Sequence, residues 1–169
     1  MDNRKRAWRV ALSGMLLALM LVLGLVESMI PVTAGVPGIK LGLSNGVLIF
    51  AVYMLNIPTA WVLMLLKVTL ASLMYAGFGA FPYALAGGVL SLAAMTILSR
   101  VKGMHPVTVS MVGGVAHNVG QVAMAMLMLS TSRLLYYMAV LMIVGLATGA
   151  LTGICAHLVM KYMKHTHFQ

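Results

Sequence analysis

Apolar stretches long enough to cross a bilayer follow one another along nearly the whole chain, and they leave one class of fold open. A crossing helix needs about 20 mostly apolar residues. In hydrocarbon every backbone polar group must be satisfied within its own segment, so such runs fold as helices. Short breaks separate them: Pro31 to Gly38, Asn56-Ile57-Pro58, Gly77-Phe78-Gly79, Arg100 to Pro106, and Ser130 to Arg133. The breaks predict spans at about 8–30, 39–56, 58–76, 80–99, 107–130 and 134–160. The expected fold is an all-α integral membrane protein, a single domain over 1–169 with six transmembrane helices. Span two is short, which leaves open a re-entrant pairing of spans two and three. A composition 62% hydrophobic and 8% charged excludes a soluble globular domain.

Charge placement orients the bundle. Arg4-Lys5-Arg6 before an apolar stretch resembles a signal peptide, but the run from Ala7 to Pro31 exceeds an h-region of about 7–15 residues. It is expected to be a retained first helix. With the N-terminus inside, Arg4, Lys5, Arg6, Arg9, Arg100, Lys102, Lys161 and Lys164 are cytoplasmic, whereas Lys40 and Arg133 are outside. That bias fixes both termini on the cytoplasmic side of a bacterial cytoplasmic membrane. The net charge of +9 is thereby assigned to topology and lipid headgroups, not to nucleic acid. Cys155 is the only cysteine, so no intrachain disulfide or cysteine-based metal site is expected.

Ionisable and amide groups inside such spans are costly and mark candidate sites. Glu27 lies in the outer last turn of span one, Lys40 and Asn45 begin span two, and Lys67 sits near the middle of span three. His117, Asn118 and Gln121 lie from mid-membrane outward in span five. This distribution predicts a substrate pocket open to the outside. His117 and Gln121, four residues apart, share a helix face. Competing readings stay open. The three span-five residues can serve as interhelical hydrogen-bond glue, Glu27 can be hydrated at the interface, and Glu27 with His117 can relay protons. Glu27 can also pair with Lys67, although the two differ by roughly 10 Å in depth.

Small residues four apart allow helices to approach closely. Gly145, Gly149 and Gly153 do so in span six, and Ala80, Ala84 and Gly88 in span four, as packing within the chain. Gly14 and Ala18 in span one are candidates for docking another subunit. Catalysis has little support. Asp2 and Glu27 are the only acids, whereas metal-dependent prenyl or phosphoryl transfer needs clustered carboxylates. No phosphate-binding loop of the Walker type occurs. Neither an enzyme activity nor a cofactor is expected.

Several strings together resemble a known family. These are Ala11-Leu12-Ser13-Gly14 through Leu16-Leu17-Ala18-Leu19 to Glu27 and Pro31, then Gly38-Ile39-Lys40-Leu41-Gly42-Leu43-Ser44-Asn45, Phe81-Pro82-Tyr83-Ala84-Leu85-Ala86-Gly87-Gly88, and Gly113 to Gln121. Over roughly 8–160 the chain resembles the Gx transporter family, also labelled heptaprenyl diphosphate synthase component I. That family is similar to the substrate-binding (S) components of energy-coupling factor transporters. The resemblance implies capture of a small organic molecule, vitamin-like or a quinone- or prenyl-related precursor, from the outer side. It also implies a transmembrane coupling subunit and two ATPase subunits as partners. Small residues on the first helix would dock on the coupling subunit, with Gly14 standing where alanine is more usual. The alternatives are an ion-coupled secondary transporter and a non-catalytic membrane subunit associated with prenyl, quinone or redox metabolism.

Overall fold

Five of the expected crossings are helices long and apolar enough to span a bilayer in the computed structural model, which describes residues 3–29 and 42–166. They are α1 (Asn3–Met29), α3 (Ile57–Ala71, continued by a π turn Ser72–Ala76), α4 (Phe81–Ser99), α5 (Pro106–Leu129) and α6 (Leu135–Thr166). No strand occurs among the described residues. The ends follow local chemistry. Asn56 caps α3 by accepting from the Thr59 N–H at 2.8 Å, with Pro58 in the first turn. Pro82 and Pro106 hold the equivalent positions of α4 and α5.

The second expected span is the one that differs. A 3-10 turn, Leu43–Asn45, leads into α2 (Gly46–Met54), an apolar helix well short of membrane length. At 1.5 Å per residue its nine residues cover roughly 14 Å of a core about 30 Å thick. Residues 39–41 of that expected span lie outside the described residues. The helix begins late because Gly42 takes the left-handed conformation, φ 85°. A Cβ on Gly42 would meet the His117 ring at 2.9 Å. Since His117 is near the middle of α5, α2 starts at mid-bundle and crosses only half of it.

Glycine seams hold the rest together, and they run antiparallel between successive helices. A Cβ on Gly88 would meet Met64 of α3, and one on Gly120 would meet the Gly87 and Ala86 backbone of α4. Gly114 lies against the backbone of Gly145, and Gly149 against Ser110 and Met111. Gly145, Gly149 and Gly153 thus pack α6 onto α5 within the chain, as expected from their spacing. The His105 and His157 rings lie 4.6 Å apart, which places the start of α5 beside the later turns of α6. The Tyr75 hydroxyl donates to Leu21 O at 3.2 Å, so α1 and α3 end at the same end of the bundle. Gly14 and Ala18 are exposed, and nothing lies within 4 Å of a Cβ on Gly14.

Candidate functional site

Four elements bring polar side chains to one buried place. Glu27 ends α1, Ser44 and Asn45 lie in the 3-10 turn, Lys67 and Ser72 stand on α3 and its π turn, and His117 and Gln121 on α5. All seven are buried, none above 7% exposure. Such burial is tolerated only with hydrogen-bond partners, and the chain supplies many. The Gly42 N–H donates to Glu27 Oε1, joining the end of α1 to the start of the turn. Lys67 Nζ donates to Asn45 Oδ1 at 3.1 Å. The Ser72 hydroxyl donates to Val68 O at 2.9 Å, within its own helix.

His117 is the centre of this arrangement. Gly42 lies against one part of its ring, and a Cβ on Gly87 would meet the ring at 2.7 Å from α4. Gln121 Nε2 lies 2.9 Å from His117 Nε2. With the amide donating, the imidazole accepts at Nε2, and in its neutral form carries its proton on Nδ1. Two glycines on different elements therefore leave space for the imidazole, and an amide one turn along orients its ring.

The cavity among these groups is small. Glu27, Ser44, Lys67, Ser72, His117 and Gln121 line a space of about 20 Å³, together with Gly24 and Tyr75. That admits about one water molecule. Small organic ligands occupy pockets of roughly 300–1,000 Å³. Among the described residues the polar cluster therefore leaves much less room than such a ligand needs. The π turn over Ser72–Ala76 belongs to the same site. Such turns insert an extra residue into a helix and are frequent at functional positions.

The elements carrying this cluster fall within one matched stretch of sequence. Residues 16–159 match the family described as heptaprenyl diphosphate synthase component I. The chain belongs to that family. No curated protein and no solved structure matches it significantly.

The structure brings Glu27, Asn45, Lys67, His117 and Gln121 together. Asn118 goes elsewhere. Fully buried, it donates from Nδ2 to Leu141 O at 2.5 Å, on the seam between α5 and α6, and does not line the cavity. His117, the preceding residue, points about 100° away round the helix, so the rotation that aims it at the cavity turns Asn118 toward α6. Lys40 lies outside the described residues. Ser44, Ser72 and Tyr75 were not singled out from sequence, since serine and tyrosine are common in spans. Ser72 and Tyr75, three apart, share a face with each other, but Ser72 lies five residues from Lys67, about 140° round an α-helix, so spacing from Lys67 did not mark them.

Proposed function

We propose that this protein is the substrate-binding subunit of an energy-coupling factor-type uptake transporter, a single membrane domain in a bacterial cytoplasmic membrane. The observation that carries the reading is the convergence of Glu27, Asn45, Lys67, His117 and Gln121 from three helices and a turn inside an apolar bundle. Interhelical glue is what Asn118 to Leu141 O and Ser110 with Thr152 provide between α5 and α6, in separate uncharged contacts. A carboxylate, an ammonium, an imidazole and two amides at one place exceed that and suit a small polar organic molecule captured from the outer side. In this reading the closed cluster is the unliganded arrangement. Ligand entry requires the Gly42 segment to withdraw from Glu27 and His117, and Lys40, just before it, to take part in binding.

Two further features support the reading. The exposed face of α1 with Gly14 and Ala18 is free within the chain to dock a transmembrane coupling subunit, which in turn engages two ATPases. The basic residues Arg4, Arg6, Arg9, Arg100, Lys102 and Lys161 fall at helix ends assigned to the cytoplasmic side by the positive-inside rule. A second reading, a membrane subunit that assists a prenyl diphosphate synthase, is favoured by the family description itself. Co-purification from native membranes separates them. A coupling subunit with ATPases supports the transporter, and a soluble prenyl synthase supports the second reading. Transport by the purified chain alone in proteoliposomes under an ion gradient would overturn both.

A further inference from the structure

A second, apolar cavity lies on the other side of the Leu43–Gly46 segment from the polar cluster. A groove of about 390 Å³ runs between α1 and α6 with α2 as its floor. Leu16 and Phe50 are buried at its base, while Met15, Leu19 and Leu151 form rims that are about half exposed or more. Its lining is apolar, and the Thr152 hydroxyl is turned back to Thr148 O at 2.8 Å within α6. The groove extends along α1 from Leu12 to Leu23, roughly 17 Å at 1.5 Å per residue. One leaflet of a hydrocarbon core about 30 Å thick is roughly 15 Å deep.

We propose that this groove holds one acyl chain of an anionic phospholipid, drawn from the leaflet at the end where α1 begins. Length and charge both point to that occupant. The groove is about as long as one leaflet is deep, the reach of a single acyl chain inserted from the headgroup level. The mouth is basic. Arg9 precedes Leu12 and Leu16 by one and two turns on the same face, and Arg4 is in line with Met15. Trp8, partly exposed between them, is the amphipathic ring expected at headgroup depth. The bound chain fills the space between α1 and α6 on a side of α1 separate from Gly14 and Ala18.

Native mass spectrometry of the full chain released from nanodiscs tests this, with phosphatidylglycerol and phosphatidylcholine of identical chains as probes. The wild type should retain one phosphatidylglycerol in preference to phosphatidylcholine. Arg9→Gln should lower that preference about fivefold, the effect of one basic residue at an anionic surface. Cys155→Trp and Leu19→Trp, both at accessible lining positions, should abolish retention while far-UV circular dichroism and melting stay unchanged. Two filling variants keep a reading in hand should one fail to fold. Equal retention of the two lipids, or full retention in a folded filling variant, would overturn the proposal. So would displacement of phosphatidylglycerol by equimolar farnesyl diphosphate, which would make the groove a prenyl site.

Discussion

Lys67 reaches from the middle of α3 to donate to Asn45 Oδ1 at 3.1 Å, at the point where α2 begins halfway through the bundle. The pair explains how a helix can start at mid-depth in an apolar environment. The turn before α2 is held by Lys67 from α3 and, through Gly42, by Glu27 from α1. Under the proposed function, both contacts open before a ligand the size of a small metabolite enters.

Asn45→Leu removes an acceptor from a buried ammonium, so the melting temperature should fall by the equivalent of about 1.5–3 kcal/mol. Lys67→Met should cost less, since no charge is left behind. The double variant should be more stable than the two single losses added together, as expected for residues in contact. Thermal unfolding in detergent provides all four corners of the cycle.

Gly42→Ala is strained twice, by φ 85° and by the His117 ring 2.9 Å from the new Cβ. The left-handed conformation alone costs about 1–2 kcal/mol for a residue with a side chain. Gly103→Ala, also at positive φ (83°) but with nothing within 4 Å of its Cβ, gives the cost of the backbone conformation without a clash. The difference between the two melting shifts measures how tightly the turn is seated on His117.

His117→Ala and Asn118→Ala should separate cleanly although the residues adjoin. Each loses hydrogen bonding worth about 0.5–1.5 kcal/mol. At Asn118 the loss falls on the α5–α6 seam, so melting drops and ligand affinity holds. At His117 the loss should fall on ligand affinity. Matching losses of affinity in both variants would place Asn118 in the site.

Gly14→Leu and Ala18→Leu project bulk from an exposed face of α1. They should weaken recovery of a coupling subunit in pull-downs by tenfold or more, while leaving ligand binding and melting at wild-type values. A parallel fall in melting would assign the positions to folding instead.

Much of this architecture was legible in the residues. Proline and glycine breaks located five membrane-length helices to within a few residues, because a bilayer imposes length and apolarity on each crossing. The spacing of Gly145, Gly149 and Gly153 foretold their packing on α5, and the shared face of His117 and Gln121 foretold their contact. Span two was drawn through Gly42 to Asn45 because no proline or charge interrupts the sequence there. Only the seating of Gly42 on a histidine 75 residues away reveals that the helix starts at mid-depth. Asn118 was grouped with His117 by adjacency, whereas helix geometry turns it toward a different neighbour. The groove between α1 and α6 has no sequence signal, since its Leu, Met and Val lining matches that of a packed core.

The central claim is that the buried cluster around His117 binds a small organic molecule. Mass spectrometry of ligand retained after gentle purification tests it most directly, comparing wild type with His117→Ala, Gln121→Ala and Lys67→Met. The account predicts one polar small molecule near stoichiometry in the wild type and its loss in all three variants, with melting of the emptied wild type and of the His117 and Gln121 variants closely matched. No retained molecule under any condition, or equal retention in folded variants, would contradict it.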